Sequence, residues 1–151
     1  MSALPAVCGG FLLAVLWFDL MFDVQVLRHR RDDLPEEVLA SLAGYYRRVT
    51  TDARPMSYAV SLVMLLALVG VTRQMLSGPA TRWIGAASLL LCAVPIVLAL
   101  ARVLPSAVRL GARSDPPAVQ SALARAICRD HLVCLASIAA FVALQLMLPL
   151  G

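Results

Sequence analysis

Four stretches of the chain, at about residues 4–27, 56–71, 83–104 and 132–150, are long and apolar enough to cross a lipid bilayer. No other feature restricts the fold as tightly. Hydrocarbon offers a backbone amide no hydrogen-bond partner, so each span must close its own bonds as a helix. A barrel strand would need two-residue alternation of polar and apolar side chains, which is absent. The chain is 61% hydrophobic, with a mean hydropathy of +0.84, more than a soluble domain of 151 residues can bury. The expectation is an all-α, polytopic membrane four-helix bundle. It forms one domain, 1–151, because nothing resembling a linker divides the chain. Pro95 falls inside the third span and should kink it.

The cations orient the bundle. All thirteen basic residues are arginines. The segment after span one carries Arg28, Arg30, Arg31, Arg47, Arg48 and Arg54, and the segment after span three carries Arg102, Arg109, Arg113, Arg125 and Arg129. Only Arg73 and Arg82 flank the loop between spans two and three. The positive-inside rule places the two rich segments in the cytoplasm and both termini outside. The arginines cap apolar segments and do not line one face, so the net charge of +4 does not point to nucleic acid. Arginine used to the exclusion of lysine, with abundant Ala, Leu and Val, suggests a GC-rich bacterial gene, and hence a multi-pass protein of the bacterial inner membrane. The N-terminus lacks the basic region of a cleavable signal peptide.

The two cytoplasmic segments, about 34–54 and 105–131, read as amphipathic arms. In the first, Val38, Leu42, Tyr45 and Val49 share a helix face flanked by Leu39 and Tyr46, after Asp33 as cap and Pro35 in the first turn. In the second, Val119, Leu123 and Ile127 form a narrower stripe after Asp115 and two prolines, and no breaker separates Ala118 from Leu148. At an offset of 81 residues, Pro35, Val38, Leu42, Ala43 and Arg48 align with Pro116, Val119, Leu123, Ala124 and Arg129. The halves then form either a parallel two-fold repeat or a coincidence of an Ala- and Leu-rich chain.

Span one contains Asp19 and Asp23, one turn apart and on one face. At about 1.5 Å per residue, Asp23 lies roughly 7 Å inside the arginine cluster and Asp19 roughly 13 Å. An acid at that depth costs about 3 kcal/mol on insertion scales, so both must point into the bundle. Depth matching makes Arg102, His131 and Arg54 the candidate partners. Asp19, Asp23, Arg102 and His131 are the candidate polar cluster, either an ion-pair network fixing helix register or a proton- or ligand-handling site. No cofactor or metal is expected: Glu-x-x-His pairs are absent, two carboxylates and one histidine are a thin ligand set, and His29 and His131 lie too near the interface for haem. Cys8, Cys92, Cys128 and Cys134 lack CxxC spacing and read as apolar fillers. Tyr45, Tyr46 and Tyr58 read as interfacial anchors.

Leu34-Pro35 opening the first arm, Pro55 before span two, Leu104-Pro105 at the end of span three and RAICRDHLVC leading into span four resemble the anthrone-oxygenase-like family of small four-span membrane proteins. That family commonly has asparagines around the third-span proline and a Trp-Asn pair before span four. Here Val103, Ser106, Arg129 and Asp130 stand instead. Three function classes follow. The favoured one is an accessory or interaction protein of the membrane, with a membrane-protein partner or a second copy of itself. The resemblance implies the second, an enzyme or binder of a hydrophobic small molecule. The third is a proton-coupled small transporter using Asp19.

Overall fold

The computed structural model describes residues 3–29, 33–77 and 82–147. Helices α1 (Leu4–Asp23), α2 (Glu36–Arg47), α3 (Arg54–Leu76), α4 (Arg82–Leu98), α5 (Leu104–Ala112) and α6 (Pro117–Leu146) follow one another within them. Four segments are long and apolar enough to span a membrane: Leu4–Arg28, Pro55–Leu76, Arg82–Ala112 and Pro117–Leu146. The protein is an all-helical, four-span membrane bundle. The last two spans run further into the second arm than hydropathy alone suggests, because α5 continues α4 through one π-helical turn (Ala99–Val103) and α6 runs unbroken. Residues 148–150 of the expected fourth span, and Arg30 and Arg31, lie outside the described residues, as does the Arg54 side chain.

α1 packs against α3 and α6, and α4 packs against the same two, so the spans form a ring in the order α1, α3, α4, α6. A half-turn exchanging α1 with α4 and α3 with α6 maps this ring onto itself, the arrangement a parallel repeat would give. The arms do not follow it. A π-helical turn over Arg48–Asp52 divides α2 from α3, whereas the corresponding stretch of the second half is continuous with α6. Between 17% and 39% of each span window is buried, which leaves most of each helix surface for lipid.

Two packed zones hold the ring together. At the end remote from the arms, Cys8, Ala67, Val71, Cys92 and Phe141 form a small core. Beside it Gln74 donates to Gln145 (3.0 Å), which donates to the buried Ser88 hydroxyl (2.9 Å), tying α3, α6 and α4 together. At the other end α2, α5 and the start of α6 build a larger core around Leu39, Leu42, Tyr46, Leu110, Ala124 and Ile127.

The arm faces differ in phase from the apolar stripes of the sequence. In α2 the buried line is Leu39, Leu42, Ala43 and Tyr46, with Val38 and Tyr45 at its edge. In α6 it is Gln120, Ser121, Ala124, Ile127 and Cys128, while Val119 is exposed. Hydrogen bonding decides the second case: Ser121 Oγ accepts from the Leu34 backbone amide (2.9 Å) and donates to the Pro117 carbonyl (2.8 Å), and the Gln120 side-chain Nε2 donates to the Asp115 carbonyl (2.5 Å). The expected Asp33 cap does not form. Pro35 is itself the N-cap (φ −54°, ψ 148°), its extended backbone turning the chain into the helix at Glu36. Pro95 lies inside α4, and the helix slips into its π-helical turn four residues later. All four cysteines are free and buried.

α5 and α2 approach so closely that a Cβ on Gly111 would lie 2.8 Å from the Arg47 amide nitrogen. Gly111→Val should therefore destabilise the folded protein by about 1–3 kcal/mol, by forcing the two arms apart. Gly44→Ala, in the open on α2, should be neutral or stabilising by up to about 1 kcal/mol. Unfolding of both variants in bicelles measures the contrast.

Candidate functional site

The two intramembrane acids lie at the end of α1, where the helix tightens into a 3₁₀ turn over Val24–Arg28. Their faces differ. Asp23 is 1% exposed and both of its oxygens are engaged: the Tyr46 hydroxyl donates to Oδ1 (2.5 Å) and His131 Nδ1 lies 2.6 Å from Oδ2. An ionised Asp23 requires the imidazole proton on Nδ1. Asp19 accepts from the Tyr45 hydroxyl at Oδ1 (2.6 Å), and its Oδ2 stands 3.9 Å from His131 Nε2. The Tyr45 ring stacks on Phe22, with centroids 4.1 Å apart and planes 11° off parallel. Three elements therefore meet at one histidine: α1 through both acids, α2 through both phenols, and α6 through His131 itself.

Arg102 does not join them. Its Nε lies 3.1 Å from Oδ2 of Asp130, whose Oδ1 lies 3.4 Å from Arg129 Nε. Asp130 is 4% exposed, so Arg102 meets a buried acid nearer to it in sequence. The two carboxylates approach opposite nitrogens of the His131 ring and so cannot converge on one ion with it. No group of three potential ligands gathers among the described residues.

Asp19 and His131 also face a cavity of about 550 Å³. Its walls are mainly apolar: Val15 and Leu16 of α1, Val60 and Met64 of α3, Ile96 of α4 and Ile138 of α6. The polar part of the wall is Asp19, Tyr45, Tyr46, Thr50, Ser57, Ser61 and His131, of which Asp19, Tyr45 and His131 lie together. Both π-helical turns contribute to the wall, through Val49 and Thr50 and through Ala99 and Leu100. Phe18, Met56, Leu100 and Leu104 also line it and are exposed on the spanning segments, so the cavity opens to the side of the bundle.

Tyr45 and Tyr46 carry much of this site, and Asp130 draws Arg102 away from it; depth matching selects none of the three. A signal for Tyr46 existed: it falls on the buried stripe of α2, where a phenol must find a hydrogen-bond partner. The hydroxyl of Thr50 donates to the Tyr46 carbonyl (2.7 Å), and that of Ser57 to the Val49 carbonyl (2.9 Å), so the turn below the phenols is pinned by side chains.

Fold and site define a class: a four-span helical membrane protein whose extramembrane arm is fastened to the spans by a buried carboxylate–histidine–tyrosine cluster, beside an apolar cavity. A family model for the SHR3 chaperone, described as ER membrane protein SH3, matches residues 4–147, and the chain belongs to that family. No curated protein and no solved structure matches it. The family overturns the resemblance to the anthrone-oxygenase-like proteins. The features behind that resemblance are punctuation common to helical membrane proteins: Pro35 caps α2, and Pro55 and Pro105 lie in the first turns of α3 and α5. It also overturns the assignment to a bacterial inner membrane, since the family is one of endoplasmic-reticulum membrane proteins. Arginine-only cation usage reports on gene composition and does not identify a compartment.

Burial pushes the hydroxyls of Tyr45 and Tyr46 well above the usual phenol range, and the carboxylates of Asp19 and Asp23 push them further. A phenol whose folded pKa is raised contributes stability that is complete below about pH 10, its unfolded value, and is lost as the pH climbs above that. In alkaline titration followed at the tyrosinate absorbance, these two phenols should ionise only as the protein unfolds. Tyr46→Phe should remove one late-ionising group and, because it strands Asp23 and destabilises the fold, bring ionisation of Tyr45 to a lower pH.

Proposed function

We propose that the protein is an accessory, chaperone-type component of the endoplasmic-reticulum membrane that accommodates spanning segments of other membrane proteins, with its arginine-rich arms on the cytosolic face. Membership of the SHR3 chaperone family supports a role toward membrane-protein partners. The observation that carries the reading is the cavity: an apolar recess of about 550 Å³, open to the side of the bundle and lined in part by carboxylate, phenol and hydroxyl groups. A folded partner leaves such groups nothing to do. A segment not yet packed into its own bundle exposes side chains and polar atoms that lipid cannot satisfy, and a recess of this chemistry can receive them. The arms support the same reading, because their own core keeps the cluster rigid while most of the span surface stays free for helix–helix contact.

The cavity also has the size of a small-molecule site, which keeps capture of a hydrophobic compound as a second reading. Photo-crosslinking residues placed at Met56 and Leu100 separate the two. During synthesis of polytopic proteins in endoplasmic-reticulum membranes, adducts should form with spanning segments of newly made proteins and fade as those proteins mature. Adducts of small mass only, or adducts with lipid only, would contradict the chaperone reading.

A further inference from the structure

We propose that Asp19 is the recognition point for a basic side chain carried at mid-membrane depth by a spanning helix of a partner protein, the cavity taking its aliphatic stem. This rests on the reading that the protein receives spanning segments. It adds a rule for which segments are favoured.

The two acids are held unequally. Asp23 is sealed, with donors on both oxygens and 1% exposure. Asp19 is engaged through Oδ1 alone. Among the described residues Oδ2 receives no hydrogen bond, the approach of His131 Nε2 at 3.9 Å being too long for one. A carboxylate oxygen left open in an apolar recess is costly to the protein standing alone. Local charge points the same way. Two acids share one histidine, whose Nδ1 is already given to Asp23. Arg102 and Arg129 are taken up by Asp130, and no arginine lines the cavity among the described residues. Among the described side chains, His131 is thus the one cationic group that meets the cluster on the side facing the recess.

The recess fits a long aliphatic stem with a charged tip. Val60, Met64 and Ile96 offer apolar wall, and Thr50 and Ser57 add hydroxyls to the same recess. A lysine alone in the bilayer centre costs its own protein about 3 kcal/mol on insertion scales. Placing that ammonium against Asp19 satisfies both groups at once. The route favours a helix over a free amine from water, because the rim residues Phe18, Met56, Leu100 and Leu104 are exposed on the spanning segments.

The test uses the full chain in nanodiscs with a photo-crosslinker at Met56, and synthetic Leu/Ala spanning helices bearing one central Lys, Leu or Glu. The Lys helix should be captured about tenfold more strongly than the Leu helix, the scale of one buried charge-assisted hydrogen bond, and the Glu helix least. Asp19→Asn should erase the Lys preference while leaving capture of the Leu helix unchanged, and Asp19→Glu should restore it, which separates recognition from folding. Equal capture of Lys and Leu helices would overturn this proposal and leave the general chaperone reading standing. Failure to capture any helix would overturn both. A long-chain alkyl amine that binds through Asp19 where the Lys helix does not would likewise overturn it, and make the site one for a small amphiphile.

Discussion

A carboxylate placed in the bilayer must be surrounded by donors, and most of the architecture at the arm end of this protein follows from how Asp23 meets that requirement. One donor comes from α6, where His131 lies in the middle of a continuous helix from Pro117 to Leu146. The other comes from α2, which lies outside the spans and must be held against them for the Tyr46 hydroxyl to reach Oδ1. The acid thereby fixes the distance from the arm to the membrane and the rotation of α6 about its own axis. Replacing such a buried cluster by apolar residues can be neutral or stabilising, whereas removing one partner strands the others at a cost of about 3–5 kcal/mol. The cluster is therefore better understood as specifying one arrangement than as supplying net stability.

That arrangement leaves room in the middle of the bundle. The remote core of Cys8, Ala67, Val71, Cys92 and Phe141 and the arm core around Leu39, Leu42 and Leu110 are dense. Between them α3 and α4 stand back from Asp19, each meeting the arm end through a π-helical turn that contributes to the cavity wall. Such turns are frequent at functional sites because the wider helix gives up regular hydrogen bonding locally. Here side chains compensate: the Thr50 and Ser57 hydroxyls take up carbonyls around the first turn. A protein meant only to hold four helices together would gain by filling this space. Its retention beside an incompletely paired acid links the packing to the proposed function.

The spans were legible because membrane insertion depends on average composition over some twenty residues, which survives ignorance of every contact. The acids were legible for a related reason: at that depth their cost forces them inward whatever the fold. Their partners were less so. His131 matched by depth and lies against Asp23, but Arg102 matched equally well and went to Asp130, because depth orders residues along the normal and says nothing about which side of the ring they occupy. The phenols were hidden by their position on an arm read as interfacial, and the phase of α6 by Ser121 and Gln120, whose burial depends on the Leu34 amide and the Asp115 carbonyl they engage. The family was out of reach of motifs that any helical hairpin shares, and the match over residues 4–147 supplied it.

The buried hydrogen bond from Tyr46 to Asp23, beside the partly buried one from Tyr45 to Asp19, fastens α2 to the spans. A double-mutant cycle on Tyr46→Phe and Asp23→Asn, read as unfolding free energy in bicelles, tests it most directly. Each single change should destabilise, and the pair should be less harmful than the sum, with a coupling of about 1–3 kcal/mol for a charge-assisted bond in a dry site. Effects that add to within about 0.5 kcal/mol would mean that the arm is held by its apolar core alone, and the account of Asp23 as the organising residue would fail.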